Sequence, residues 1–179
     1  GKCPSCGAWN TLQELKLDGG KKAPAARGYD AETVPKRITE LDTAQEIRFS
    51  TGISELDRVL GGGAVLGSLN LVGGAPGIGK STLLLQMCGK LRSNSAILYV
   101  TGEESARQVG MRARRLGGDD SNCSIFCETL IDTVIGEART MLPDLMIVDS
   151  VQTMYTESVE SAPGSVSQIK EGAAALLRF

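Results

Sequence analysis

Residues 74–81 read Gly74-Ala75-Pro76-Gly77-Ile78-Gly79-Lys80-Ser81, a match to the pattern G-x-x-x-x-G-K-[ST] at every fixed position. An apolar run over 69–72 comes before this stretch, and a helical pattern over 82–91 follows it. Glycines let the backbone curl so that successive N–H groups point at phosphate oxygens, and a helix N-terminus adds a partial positive charge. A strand, this turn and a helix together predict a phosphate-binding loop rather than a chance glycine-rich turn.

The side chains of this loop have separate expected tasks. Lys80 is expected to reach the β- and γ-phosphates of a nucleotide, and the Ser81 hydroxyl to hold Mg²⁺. The expected cofactors are therefore ATP and Mg²⁺. We predict nucleotide contacts along the whole stretch, from Gly74, Ala75, Pro76, Gly77, Ile78, Gly79, Lys80, Ser81 and Thr82.

The composition is ordinary for a globular protein. Of 179 residues, 41% are hydrophobic and 22% are charged, and the net charge is −2, so no global basic field points to nucleic acid. No apolar run is long enough to span a membrane. The 5 Cys, two of them in a C-x-x-C, favour a reducing compartment and a metal site over a disulfide framework. We therefore expect a cytoplasmic protein. The absence of His excludes catalysis by histidine and metal binding by histidine within this chain.

Composition divides the chain into three parts. Residues 1–15 carry the first two cysteines, residues 16–45 are rich in Gly, Pro and Lys, and residues 46–179 hold the apolar runs. We interpret 16–45 as a solvated linker, with a DNA-binding arm as the alternative. The chain begins without Met and ends inside a helical pattern, and we expect it to be a fragment.

The main part alternates apolar runs with helical patterns. Apolar runs that predict strands cover 69–72, 96–100, 124–127 and 145–148, and helices are predicted near 53–60 and over 82–91, 103–116, 130–141 and 165–179. Continuous apolar strands separated by helices are typical of a parallel sheet covered on both faces. The predicted fold is therefore α/β with a mostly parallel sheet.

Acidic residues follow two of these strands. Asp149 ends the 145–148 strand, where it is expected to hold Mg²⁺ together with Ser81. Glu103 and Glu104 follow the 96–100 strand at the same edge of the sheet. We prefer Glu103 as the carboxylate that orients or deprotonates the attacking water, with Glu104 pointing elsewhere, for instance to a neighbouring subunit. Simple helix-start acids are the alternative for this pair.

The cysteines suggest half of a zinc site. Cys3 and Cys6 form a C-x-x-C followed by Gly, the usual half of a four-cysteine structural zinc site. Cys123 and Cys127 flank a predicted core strand and are expected to be small buried side chains, as is Cys88. A second cysteine pair upstream of this chain is the simpler completion, and a redox role is disfavoured because no strand precedes Cys3.

Two further groups of polar residues have open roles. Arg107, Arg112, Arg114 and Arg115 cluster on the 103–116 helix, where we expect a solvated or ion-paired face, with a subunit or DNA contact as the alternative. Gln152 and Gln168 could sense the γ-phosphate or face DNA, although polar residues near loops commonly do neither.

Together these motifs resemble the RadA (also called Sms) family of bacterial DNA-repair proteins, which are RecA-like ATPases. The resemblance covers nearly the whole chain, and C-x-x-C-G-x-W beside this ATPase core is specific. The stretches that carry it are 3–10, 51–63, which begins with Thr-Gly-Ile-Ser-Glu-Leu-Asp, the loop over 73–82, Thr-Gly-Glu-Glu-Ser over 101–105, Val-Asp-Ser-Val-Gln-Thr over 148–153, and 163–168.

The resemblance implies a RecA-like core behind an N-terminal zinc finger, with Zn²⁺ held by Cys3 and Cys6 and two further cysteines. It implies a DNA-dependent ATPase that promotes branch migration of recombination intermediates as a homo-hexamer, on single-stranded or branched DNA and beside a RecA-type recombinase, with no membrane role. The alternative is a KaiC-type ATPase in which the nucleotide switches assembly or signalling.

The family also places a sensor strand between the loop strand and the Asp149 strand. That strand would follow Phe179, so we expect a sheet that is incomplete at the C-terminus, with unpaired backbone beside 69–72 and 145–148. For residues 1–179 alone, instability and negligible DNA-stimulated hydrolysis are the expected consequences.

Overall fold

The structure, a computed structural model, describes residues 37, 39, 46–91, 94–117 and 122–179. Cys3 and Cys6, the segment 1–15 and nearly all of the expected linker lie outside the described residues. The division at residues 15 and 45 therefore stays a prediction.

The described chain alternates strands and helices. In chain order the elements are β1 (Arg48–Phe49), α1 (Ser54–Val59), β2 (Ala64–Val65), α2 (Lys80–Cys88), β3 (Ile97–Thr101), α3 (Ala106–Leu116), β4 (Cys123–Cys127), α4 (Ile131–Met141), β5 (Leu145–Asp149) and α5 (Val166–Arg178). β3, β4 and β5 form a parallel sheet in the order β4-β3-β5, and β1 pairs antiparallel with β2. The predicted parallel α/β architecture is confirmed.

β3 is the central strand of the sheet, because β4 and β5 pair with its two edges, and all five of its residues are buried. Its side chains alternate between two apolar layers, as the period of a strand requires. The first layer joins β3 and β5 to α2 and α3 through Leu85, Met87, Cys88, Ile97, Tyr99, Val109 and Ile147. The second joins β3 to α4 and to the segment after β5 through Leu98, Val100, Ile131, Val134, Ala138 and Met154. Helices therefore cover both faces of the sheet.

A small unit formed by β1, α1 and β2 precedes the phosphate loop. The Asp57 carboxylate accepts hydrogen bonds from the Ser50 hydroxyl at 2.5 Å, and from the backbone N–H and the hydroxyl of Thr51 at 2.7 Å each. Gly63 has φ +124°, and a Cβ there would stand 2.4 Å from the Phe49 carbonyl oxygen, so only glycine lets β2 approach β1.

The expected strand over 69–72 is wrong. The segment has no strand, and its apolar side chains are open to solvent, with Leu71 84% exposed. A strand forms only when its backbone pairs with a neighbouring one, and 69–72 pairs with none of the described strands. Within the described residues the other edge of β5 pairs with no strand. The phosphate loop therefore follows an irregular segment.

The other predicted elements exist, with shifts at their ends. α2 begins at Lys80 and ends at Cys88, and α3 begins at Ala106 because Ser105 caps it. The Ser105 hydroxyl accepts from the Gln108 N–H while the Gln108 side chain accepts from the Ser105 N–H, a reciprocal cap that fixes this start. Among the described residues, no helix combines the length and apolarity that crossing a bilayer would need.

Candidate nucleotide-binding and catalytic site

The phosphate loop enters α2 through two glycines in the left-handed region. Gly77 has φ +74° and Gly79 has φ +105°, and α2 begins at the next residue, Lys80. A β-carbon at either glycine would meet no atom within 4 Å, so backbone conformation rather than crowding requires glycine here. The Lys80 ammonium donates to the carbonyl oxygens of Gly74 at 3.0 Å and Ala75 at 3.1 Å. The lysine therefore lies across its own loop.

The start of α2 offers unpaired donors. No side chain caps this end, and the first recorded backbone bond runs from the Leu83 N–H to the Gly79 carbonyl at 2.9 Å. In the described part of the chain, the N–H groups of Lys80, Ser81 and Thr82 have no hydrogen-bond partner. Such donors at a helix N-terminus suit the oxygens of a phosphate group. The loop thus fits the phosphates of a nucleotide.

Asp149 ends β5 and lies opposite Thr101 of β3. The Tyr99 hydroxyl donates to Asp149 Oδ2 at 2.6 Å. Burial is the main cause that raises the pKa of Tyr99 above its usual range, and the hydrogen bond to Asp149 and its charge add to it. The carboxylate is therefore held by a hydroxyl that does not ionise at neutral pH.

Glu103 lies two residues beyond the end of β3. Its Oε1 accepts a hydrogen bond from the Ser150 hydroxyl at 3.0 Å, and Ser150 directly follows Asp149. Gly102 keeps this edge compact, because a Cβ there would stand 2.5 Å from Thr153 Oγ1 and 2.6 Å from Thr129 Cγ2. The predicted acids are thus brought to one edge of the sheet through a serine.

Glu104 has a partner within its own chain. Its Oε1 pairs with Arg112 of α3, and its N–H donates to the Thr101 hydroxyl at 3.2 Å. Glu104 therefore points away from Glu103, as expected, and its contact with a neighbouring subunit stays a prediction. The expectation of an ion-paired arginine face holds at Arg112. The ion pair ties the start of the loop after β3 to the middle of α3.

A cavity of about 260 Å³ opens at the carboxyl ends of β3 and β4, lined by Thr101, Gly102, Glu103, Glu104, Cys127, Glu128 and Thr129. Glu128 turns inward to its own backbone, since its Oε1 accepts from the N–H groups of Thr129 at 2.6 Å and Leu130 at 3.0 Å. The Leu130 and Thr129 bonds lower the pKa of Glu128. Of the carboxylates around the cavity, Glu103 is the one held by a side chain beside Asp149.

The cysteine predictions divide. Cys88 is buried in the first apolar layer, as expected, and Cys123 packs against it half-buried. Cys127 is exposed, and its thiol lies 3.6 Å from the Glu104 carbonyl oxygen, so its expected burial is wrong. β4 is an edge strand of the described sheet, and its last residue reaches solvent at the cavity. No cluster of three or more His, Cys, Asp or Glu suited to a metal occurs in the described residues.

The two halves of the predicted site are the phosphate loop and the acidic edge of the sheet. No hydrogen bond or ion pair among the described residues joins 74–82 to Asp149 or Glu103. Ser81 and Asp149 both offer an oxygen that suits Mg²⁺, and in the described part of the chain no hydrogen bond engages Asp149 Oδ1. The donor set fits a magnesium nucleotide.

Two residues of this site were not singled out in the sequence. Tyr99 reads as one more apolar residue of a buried strand, and Ser150 as an ordinary residue after a strand end. The signal for Ser150 was its place beside Asp149, because parallel neighbours bring the residues after their ends together. The signal for Tyr99 was its hydroxyl, since a buried tyrosine usually has a hydrogen-bond partner.

Comparison with known proteins agrees with this geometry. A family model described as "ATPase: KaiC" matches residues 49–124. The chain is 48% identical over 180 residues to the DNA repair protein RadA of Pseudomonas aeruginosa, covering 100% of this chain and 40% of the relative. The corresponding RadA proteins are 46% identical over 186 residues in Bacillus subtilis and 44% over 185 in Escherichia coli, with the same two coverages. The chain thus spans about two fifths of the length of these curated relatives.

Proposed function

The chain belongs to the RadA family of RecA-like ATPases, and on that premise we propose that it is the nucleotide-hydrolysing part of a DNA-repair ATPase. The observation that carries the proposal is the edge where Glu103 and Asp149 meet through Ser150, beyond the ends of two adjacent parallel strands. Ligands of parallel α/β sheets bind at this edge. A loop of G-x-x-x-x-G-K-[ST] type with unpaired N–H donors supplies the phosphate site.

Each group has a defined part in binding or in proton handling. The loop N–H groups and Lys80 bind the phosphates, and Lys80 must leave the Gly74 and Ala75 carbonyls to do so. Ser81 and Asp149 would hold Mg²⁺, which when bound neutralises charge that develops on the phosphate oxygens. Glu103 orients the attacking water and accepts its proton, and the Ser150 hydroxyl holds that carboxylate in place.

The finer activities follow from family membership and are proposed for the whole protein. We propose that hydrolysis is stimulated by single-stranded or branched DNA and that it promotes branch migration during recombination beside a RecA-type recombinase. The working form would be a homo-hexamer. Cys3 and Cys6 would complete a four-cysteine zinc site together with two cysteines outside this chain. The relatives' name, DNA repair protein RadA, supports the DNA-repair context.

Binding is tested with Lys80→Ala. The variant loses a charge-assisted contact to phosphate worth about 1.5–3 kcal/mol, so affinity for ATP should fall by about 10- to 150-fold. Calorimetry on the full-length protein measures the affinity. Lys170→Ala, the loss of an exposed lysine on α5, is the matched control and should leave the affinity unchanged. Equal affinities in wild type and Lys80→Ala would remove the phosphate-loop assignment.

Turnover is tested with Glu103→Gln. Loss of the general base should lower kcat by about 10²–10⁴-fold while ATP affinity stays near that of wild type. Glu137→Gln makes the same chemical change at an exposed position of α4 and should keep full turnover. Turnover with and without single-stranded DNA separates a DNA-driven motor from a KaiC-type switch, because only the motor is expected to accelerate. Full activity of Glu103→Gln would show that another group handles the water.

A further inference from the structure

We propose that Tyr99 is a positioning residue for the magnesium site, holding one carboxylate oxygen of Asp149 so that the other is presented to the metal. The inference rests on the proposed function and names a residue beyond the expected ligands. It stands on one juxtaposition: the Tyr99 hydroxyl, at the centre of the sheet, lies 2.6 Å from Asp149 Oδ2 on the adjacent strand.

The hydrogen bond is short, at a length that suits an ionised acceptor. O–H···O⁻ bonds are about 2.5–2.7 Å long, shorter than bonds between neutral groups. Tyr99 is 1% exposed, so water does not compete for its hydroxyl, whereas Asp149 is only half-buried. Asp149 Oδ2 is thus engaged by a buried hydroxyl, and Oδ1 is the oxygen left for a ligand. A carboxylate fixed in this way binds a cation in one orientation rather than several.

Tyr99 also shares an apolar layer with the helix that carries the other expected ligand. That layer includes Leu85 and Cys88 of α2, and α2 begins with Lys80 and Ser81. Tyr99 therefore belongs to the layer that joins β3 to the helix of the expected serine ligand, and it holds the aspartate ligand by a hydrogen bond.

Tyr99→Phe is the test, because it removes one oxygen and keeps the ring. Partners of metal ligands typically contribute 10- to 100-fold to metal affinity, so we expect the Mg²⁺ concentration for half-maximal ATP turnover to rise about tenfold or more. Saturating Mg²⁺ should restore the rate to within about twofold, and nucleotide affinity in EDTA should stay at the wild-type value, because the lysine and loop contacts are intact. A purely structural role would lower the melting temperature without moving the Mg²⁺ curve. Tyr155→Phe, the same change in the segment after β5, is the matched control and should leave that curve unchanged.

A Tyr99→Phe protein whose Mg²⁺ curve superposes on that of wild type would overturn the proposal. Replacement of Tyr99 by 4-aminophenylalanine supplies the second measurement, because its amino group keeps a donor at the same place. That protein should need no more than about twice the wild-type Mg²⁺ concentration, since the donor is retained. A folded amino variant with a tenfold higher requirement would contradict the hydrogen-bond role, even if the phenylalanine variant does not fold. If Lys80→Ala keeps wild-type ATP affinity and Glu103→Gln keeps wild-type turnover, the proposed function fails. If both variants lose these properties as expected, an unchanged Mg²⁺ curve in Tyr99→Phe removes this inference alone.

Discussion

Gln168 holds the segment after β5 through a buried amide, and its loss should destabilise that segment strongly. The side chain is 2% exposed. Its Oε1 accepts from the Thr156 N–H at 2.9 Å, and its Nε2 donates to the carbonyls of Thr156 at 3.1 Å, Val159 at 2.9 Å and Ser161 at 3.0 Å. The amide has two hydrogens for three carbonyls, so one of them is shared. Neither sensing of a phosphate nor an outward contact fits this burial.

The magnitude follows from which partners water can reach after Gln168→Met. The bonds to Val159 and Ser161 are only partly buried, and Val159 also accepts from the Ser161 N–H at 2.9 Å. The two bonds to Thr156 are buried, and each group left unpaired there costs about 1–3 kcal/mol. The expected loss is thus about 2–6 kcal/mol, a large part of the roughly 5–15 kcal/mol that stabilises a domain.

Hydrogen–deuterium exchange on the full-length protein measures this loss of stability at individual backbone amides. A loss of 2 kcal/mol or more corresponds to about 25-fold faster exchange at the Thr156 amide. Gln168→Glu keeps an acceptor for Thr156 but loses both donors and sets a charge against three carbonyls, so it should be no better. Gln152→Met, at an exposed position, is the matched control and should stay within about 0.5 kcal/mol of wild type. Wild-type exchange in Gln168→Met would show that this amide does not hold the segment.

Two further changes test the catalytic edge and the unit before the loop. Gly102→Ala places a Cβ 2.5 Å from Thr153 Oγ1 and should displace Glu103. Since a shift of about 1 Å can cost about a hundredfold in rate, kcat should fall steeply while ATP affinity changes little. An unchanged kcat would show that the backbone at this edge accommodates the methyl group without moving Glu103. Hydrogen bonds from Ser50 and Thr51 lower the pKa of Asp57 from 3.8, so its contribution to stability is present above that pH and is lost as the pH falls through its folded value. Melting temperatures from pH 6 to pH 2.5 should therefore fall more in wild type than in Asp57→Asn, and parallel curves would contradict this coupling.

The central part of the fold could be predicted because its signals are local. The apolar runs near 97–101, 123–127 and 145–149 are continuous, and strands of a parallel sheet covered on both faces have this pattern. The predicted helix over 103–116 begins three residues before the start of α3, although Ser105 and Gln108 carry the capping pattern that sets this start. A helix start can therefore be predicted from the sequence where a capping pattern of this kind is present.

The expected strand over 69–72 shows where such reasoning stops. Its apolar residues indicate a tendency to be buried, but a strand forms only beside another backbone, and sequence does not say which backbone is available. The expected burial of Cys127 is wrong for a related reason. An apolar run predicts a buried strand, yet β4 is an edge strand of the described sheet, and the thiol of its last residue reaches the cavity. Neighbours in space decide both cases.

The meeting of the two acids has a simple physical origin in strand register. β3 and β5 are parallel and adjacent, with Thr101 opposite Asp149, so the residues that follow each strand leave the sheet side by side. Ser150 is one residue beyond this pair and Glu103 two beyond it, which is why the serine hydroxyl reaches the Glu103 carboxylate. A shift of register by one residue would reverse the faces of all side chains of β5, separating Asp149 from Tyr99 as well. The site therefore depends on the same alternation that buries Ile97 and Tyr99 on one face of β3 and Leu98 and Val100 on the other.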